Sequence, residues 1–305
     1  MRKLTVFIVT VLAVVVSADV LLGVFADHYM SRAKLPGDYR SVDYVMRESR
    51  DSILILGSSV ALNSLMPAVI EDSLHGMTCF NGAANAQQLP FFLSILDCVL
   101  RRETPRMVIV GFETAACATT GTGERFNLLA PYYHRGYEYL DSCMEGGSTV
   151  GRVKLKSNLL RYNTIWWRIL LYHFVTADNP GEKGFVAKDI PPLPPTLTSL
   201  NEDEPMSDER RQELERLVGI CLRHNIRLTV FFPPQYQRLT GTNKCREQVK
   251  SLLSGHGISC LDYSQDSTFL NHPEWFYDNI HLNGDGARVF TSRFVNDLVN
   301  NNPTE

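Results

Sequence analysis

Three side chains in this sequence have the chemistry of a nucleophile, a base and the group that orients the base: Ser59, His281 and Asp278. A serine hydroxyl attacks an acyl carbon effectively only when an imidazole takes its proton. The imidazole in turn needs a carboxylate to fix its tautomer and to stabilise the imidazolium that forms. Asp278-Asn279-Ile280-His281 separates acid and base by three places, so both can face the serine from one turn of chain. Each residue also has an ordinary reading: Ser59 as a helix cap, Asp278 as a turn residue, His281 as a surface histidine. The other histidines considered, His134, His173, His256 and His272, have no acid at a useful spacing. Seven cysteines are scattered without metal-like spacing. They read as buried free thiols, with a disulfide left open by an oxidising compartment.

The elements around these residues set where they sit. Ser52–Leu56 is a short apolar run of β type that stops at Gly57-Ser58-Ser59 and passes into a helical segment. A serine there stands at the carboxyl end of a strand, where open α/β sheets bind ligands. A helix from Pro67, a strand Met77–Phe80, a helix Gln88–Arg101 and a strand Arg106–Gly111 continue a β-α-β-α-β rhythm, which predicts a parallel sheet covered by helices. Residues from about 114 to 205 break the rhythm. That stretch holds Gly121-Thr122-Gly123, the pair Tyr132-Tyr133, the run Asn163–Trp167 and the proline-rich Pro191–Pro195. It reads as an insertion over one end of the sheet, either a lid or substrate platform or a packing subdomain with Trp166 and Trp167 in its core. Regular order returns with a capped helix from Ser207 to about His224, the strand Arg227–Phe232, a helix Asn243–Ser254, the strand Ile258–Asp262 and a final helix Gly286–Val299.

At the amino terminus Arg2 and Lys3 precede an apolar stretch, Leu4–Ala26, interrupted by Asp19. Positive residues followed by such a run form an export segment. Val16-Ser17-Ala18 would suit cleavage as a signal peptide, but the apolar character continues for two more turns. An uncleaved single-pass anchor over residues 1–26 is therefore expected, with a polar connector at 27–50 and a domain at 51–302 lying outside the cytoplasm. A net charge of -3 and a pI near 6.3 leave no basic footprint for nucleic acid.

The order of these elements, with Gly57-Ser58-Ser59 where the family has Gly-Asp-Ser and a closing Asp278-Asn279-Ile280-His281, resembles the SGNH/GDSL hydrolase superfamily. The style is that of membrane-anchored cell-envelope members that write Gly-Ser-Ser, acyl-transfer proteins among them. The resemblance spans about residues 52 to 299. It implies a three-layer α/β/α sandwich on a five-stranded, mostly parallel, flavodoxin-like sheet, with Ser59 as nucleophile, His281 as base and Asp278 as its partner. It also implies an oxyanion hole made from the Ser59 N–H, a glycine N–H after the second strand and an asparagine side chain after the third. Gly82 fits the glycine, with Asn81 as a supporting, substrate-side residue. Glu113 in Gly111-Phe112-Glu113-Thr114 stands where the asparagine would be, and an ionised carboxylate opposes a developing oxyanion. Either Asn85 or Thr114 supplies the donor, or Glu113 is protonated, or catalysis is slow or absent.

Two functions follow as expectations. One is a serine esterase or O-acyltransferase acting on acyl groups of an envelope polysaccharide or another ester, requiring no metal or organic cofactor and open to a membrane acyl-transfer partner. The other is a non-catalytic glycan-binding or assembly module, with Tyr132, Tyr133 and Trp166 as a stacking surface.

Overall fold

The structure is a computed structural model and describes residues 2–30, 32, 35, 37–113, 126–146, 149–162, 165–175 and 182–300. An apolar helix, α1 (Arg2–Met30), is followed by α2 (Asp38–Arg47). Next come β1 (Ile53–Gly57), α3 (Ser59–Leu62), α4 (Pro67–Ser73), β2 (Cys79–Asn81), α5 (Leu89–Leu100) and β3 (Met107–Gly111). After β3 lie α6 (Glu138–Glu145), α7 (Thr149–Lys156), α8 (Asn158–Arg161), α9 (Trp166–Phe174) and β4 (Thr198–Asn201). The chain then continues through α10 (Asp208–Arg223), β5 (Arg227–Phe232), β6 (Gln237–Thr240), α11 (Lys244–Gly255), β7 (Ser259–Asp262), α12 (Ser267–Leu270) and α13 (Gly284–Asn300).

Five strands form one parallel sheet in the order β2-β1-β3-β5-β7. Alternation along each strand explains why the sheet is covered on both faces. Leu54, Leu56, Val108, Val110, Leu228 and Val230 point into one core, packed against α2, α5, α10 and α11. Ile53, Ile55, Met107, Ile109 and Phe231 point into the other, against α3, α4 and α13. Strands buried on both faces read as continuous apolar runs, as these do. Strand order reverses between β1 and β3, so the carboxyl ends of those two strands flank the crevice where such sheets take ligands.

The structure departs from the sequence reading at three places. β2 lies two residues later than expected at its start, because the Met77 N–H turns back to the Leu74 carbonyl and pairing with β1 begins only at Cys79. The stretch read as a connector contains α2, whose Val42, Val45 and Met46 are buried at helical spacing against the core. β4 and β6 pair with each other in a separate two-stranded parallel sheet. Their largely polar, exposed residues give no strand periodicity to read.

The outer end of the sheet is held by charge. Arg246, almost wholly buried, donates to Glu202 at 2.7 Å and to Asp262 at 3.0 Å, and Lys250 meets Asp262 at 2.7 Å. Burial opposes ionisation of Asp262, but Lys250, Ser264 and Arg246 outweigh it and hold the carboxyl below its ordinary range. Removing one partner of such a buried set strands the others. Arg246→Met is expected to cost about 3–5 kcal/mol, read as a lowered denaturant midpoint. Because the folded carboxyl of Asp262 is depressed, its contribution is present above the ordinary aspartate range and is lost as pH falls through its lower folded value.

Candidate active site

The strand-to-helix turn that presents Ser59 works because two glycines lie side by side. Gly57 pairs in register with Gly111 at the ends of β1 and β3, and α3 rests on both. A Cβ at Gly57 would come within 2.4 Å of the Ala61 Cβ, and one at Gly111 within 2.6 Å of the same atom. Any side chain at either position would lift α3, and its serine, off the sheet. From below, the buried Asn81 side chain donates to the carbonyls of Ala61 and Leu65, both at 3.1 Å, and so clamps the end of this short helix. Ser58 is the N-cap residue, and Ser59 is the first helical residue, partly open to solvent.

The imidazole of His281 comes from the turn before α13. The Tyr277 N–H donates to the His281 carbonyl at 2.9 Å, and Phe276 bridges to Leu282, closing a tight loop around Asp278. Asp278 Oδ1 accepts the N–H groups of Ile280 and His281 at 2.9 and 2.8 Å. Its carboxylate also lies 2.9 and 3.0 Å from His281 Nδ1. Two carboxylate oxygens on Nδ1 make that nitrogen the donor, which leaves Nε2 as an acceptor. Ser59 Oγ sits 2.8 Å from Nε2. Burial works against ionisation of Asp278, yet the bonds from His281 and the Ile280 N–H prevail and keep its carboxyl below the ordinary aspartate range.

Neighbouring residues hold the loop where it is. The Asn279 side chain donates to the carbonyls of Thr196 and Tyr236, and the Asn283 side chain to that of Glu274. Gly286 is needed where α13 begins, since a Cβ there would meet the Trp275 carbonyl oxygen at 2.2 Å. A strap through Phe185 and Lys188 joins the two halves of the site: the Val186 N–H donates to the Leu62 carbonyl, and the Lys188 carbonyl accepts the Gly284 N–H. These roles escaped the sequence reading. Only Asn283-Gly284 carried a local turn signal.

Beside α3 a polar cleft of about 430 Å³ opens, with Asn63, Asn85, Asp38, Lys188 and Arg168 on its walls. Leu62, the last residue of α3, and Asn63, its C-cap, line the cleft.

Of the residues expected around the nucleophile, Ser59, His281 and Asp278 meet. Ser59 does not act as a helix cap, because its hydroxyl is engaged by His281. Several others are placed differently. Gly82 directs its N–H to the Ile55 carbonyl at 2.8 Å as the last rung between β2 and β1, which removes it as an oxyanion donor in this arrangement. The N–H groups of Ala83 and Ala84 are likewise taken, by the Asn81 side chain and the Gly57 carbonyl. Asn85 is turned to Asp38, which accepts its N–H at 3.1 Å and its side-chain amide at 2.8 Å. Asn81 is fully buried and holds α3, which gives it a supporting position. Glu113 accepts the Ser58 hydroxyl at 3.1 Å, beside a small recess shared with Gln88 and Arg210. Thr114, Gly121-Thr122-Gly123 and the pair Asn163-Thr164 lie outside the described residues.

Tyr132 and Tyr133 are buried, their hydroxyls donating to Asp43 and Glu145, so neither offers a face for stacking on a sugar. Trp166 is partly buried against the core, whereas Trp167 is exposed. Two histidines set aside for want of an acid do have one: His272 Nδ1 lies 2.7 Å from Glu274, and His134 lies 3.6 Å from Asp141. Both pairs are exposed at the imidazole and neither touches a nucleophile. Cys79, Cys98, Cys143, Cys221 and Cys260 are outside any disulfide, and Cys245 is disulfide-bonded. Burial pushes the thiols of Cys221 and Cys260 up to about 12, which leaves them inert.

No protein-family model matches the chain, and no curated protein matches it by sequence.

Proposed function

We propose that the chain is a serine esterase or O-acyltransferase of the SGNH type, anchored in a membrane by α1 with the rest of the chain outside the cytoplasm, and acting on acyl groups of an envelope glycan. The observation that carries this reading is the contact of Ser59 Oγ with His281 Nε2 at 2.8 Å while Asp278 holds Nδ1. As Ser59 Oγ forms a bond to the acyl carbon, its proton passes to Nε2. The tetrahedral intermediate then collapses, the ester C–O bond breaks, and the same proton goes to the departing alcohol oxygen. Water or a sugar hydroxyl next attacks the acyl-enzyme and gives its proton to His281 Nε2, and as the acyl–Oγ bond breaks that proton returns to Ser59 Oγ. Hydrolysis and transfer differ only in that second attacker.

The strand order β2-β1-β3-β5-β7 supports the assignment, since it is the flavodoxin-like order 2-1-3-4-5 with the serine at its switch point. The polar cleft beside α3 suits a hydroxyl-rich substrate. The length and apolar character of α1 support the anchor, and the disulfide at Cys245 suits an oxidising compartment. An acyl donor handed over by a membrane partner is compatible with this placement.

Short-chain p-nitrophenyl esters test the activity. Turnover by the full chain in detergent is expected to fall at least about 10³-fold in Ser59→Ala. Equal turnover by both proteins would remove Ser59 from the chemistry.

A second reading, a non-catalytic glycan-binding or assembly module on the same fold, is favoured by two observations: the Gly82 N–H is occupied, and a carboxylate stands at the asparagine position. It expects glycan affinity that survives both Ser59→Ala and His281→Ala.

A further inference from the structure

From Thr149 to Phe174 the sequence carries five cations, Arg152, Lys154, Lys156, Arg161 and Arg168, and no acid, in a chain whose net charge is -3. The same segment forms α7, α8 and α9, and its apolar side chains are left uncovered on one side. On α9 the exposed residues are Trp167, Leu170, Leu171 and Phe174, an i, i+3, i+4, i+7 stripe in which Phe174 is 84% and Trp167 55% exposed. The opposite side of α9 is apolar too, with Ile169 fully buried. A helix that is apolar on two sides, one of them uncovered, needs a second apolar environment besides the core it already covers. Leu159 and Leu160 on α8 and Val150 and Val153 on α7 extend the uncovered surface.

The neighbour of this surface is α1. Asp19 of α1 accepts from the Ser157 hydroxyl at 2.7 Å, from the N–H groups of Asn158 and Leu159, both at 2.9 Å, and from the Asn158 side chain. A Cβ on Gly23 would lie 2.5 Å from the Asn158 side chain, and the ring of Phe25 stacks with that of Trp166 at 6.2 Å. The start of α8 and the start of α9 are therefore fixed against the Asp19–Phe25 turns of α1.

Helix length turns that contact into a depth. A hydrocarbon core about 30 Å thick takes roughly 20 helical residues. Counted from Leu4, the first apolar residue after Arg2 and Lys3, such a span ends near Gly23. The fifteen residues ahead of Asp19, Leu4 to Ala18, cover only about 22 Å. The turns gripped by α8 and α9 are thus needed to complete the span, and the exposed stripe lies at the level where acyl chains give way to headgroups. Asp19 is carried to that depth with its carboxylate engaged by α8.

We infer that α7–α9 form a membrane-docking platform, whose apolar stripe enters the outer edge of the bilayer beside α1 and whose exposed Arg152, Lys154 and Lys156 meet anionic lipid headgroups. Arg168 lies on the cleft wall and over the Tyr39 ring at 5.3 Å, so one helix links the lipid surface to the cleft at the end of α3. The inference rests on α1 spanning the membrane and is independent of the chemistry at Ser59.

The test uses the full chain reconstituted in vesicles of phosphatidylcholine and phosphatidylglycerol brominated on the upper acyl chain. Tryptophan emission is expected to contain a lipid-quenched component that disappears in Trp167→Phe and persists in Trp275→Phe. Retention of the chain after carbonate extraction, without quenching at Trp167, overturns the platform alone. Release by carbonate overturns the span and the platform with it. A Trp167 shielded from both brominated lipid and aqueous iodide would show a second copy covering the stripe, and would equally overturn docking to lipid.

Discussion

Asp278→Asn is expected to slow acylation by about 10⁴-fold while leaving the fold intact. The Asn side chain can still accept the Ile280 and His281 N–H groups through Oδ1, so the turn survives. Its amide, however, presents an N–H to His281 Nδ1. The imidazole must then carry its proton on Nε2, the nitrogen that lies 2.8 Å from Ser59 Oγ, and cannot accept the serine proton. His281→Ala removes the base outright and is expected to be no better. The effect is separable from unfolding by an unchanged thermal midpoint. The pH dependence has a definite sign as well. The folded carboxyl of Asp278 lies below its ordinary value, so its hold on His281 is complete above the ordinary aspartate range and is lost only as pH falls through that lower value. Acid loss of activity that sets in above the ordinary aspartate range must therefore come from a group other than Asp278.

Glu113→Gln is expected to act in the opposite direction and to raise kcat. On the proposed reading, transition-state charge would build at the carboxyl ends of β1 and β3, where Ser59 and Glu113 both lie, and a carboxylate in that position would oppose it. Glutamine keeps the shape, still accepts the Ser58 hydroxyl through Oε1, and brings an amide donor in place of the charge. One oxyanion donor is worth about 10²–10³ in rate, and a gain approaching the lower figure is expected if the new amide reaches the oxyanion. Steady-state turnover of the same ester by the two proteins checks it. A fall in kcat would mean that the Glu113 carboxylate itself serves the reaction, and would change its role from obstacle to participant.

The parts of the fold that could be read in advance share one property: their signal is local. β1, β3 and β5 are apolar runs because both faces of the sheet are covered, and α10 announces itself with Ser207, which accepts the Arg210 N–H. The bringing together of Ser59 with Asp278 and His281, 222 positions apart in the last pair, rested on a strand end, a three-place spacing and a resemblance. β4 and β6 were invisible because neither is buried nor apolar. The environment of the nucleophile was harder still. That Gly82 spends its N–H on the sheet and that Asp38 holds Asn85 are consequences of tertiary register, which no short motif records. Glu113 could be flagged from its position alone, but its bond to Ser58 in place of Ser59 depends on how the side chain of an N-cap serine points. The basic, acid-free run over α7–α9 was written plainly in the sequence. It became meaningful only when α8 was found capped by an aspartate from α1.

The central claim is that Ser59 is a nucleophile activated by His281. Its most direct measurement is mass-spectrometric mapping of the adduct left by a fluorophosphonate probe on the full chain. A single phosphonyl group on the Ser59 hydroxyl is predicted, absent from Ser59→Ala and strongly reduced in His281→Ala. Failure to label the folded protein, or an adduct that forms equally in Ser59→Ala, would contradict it.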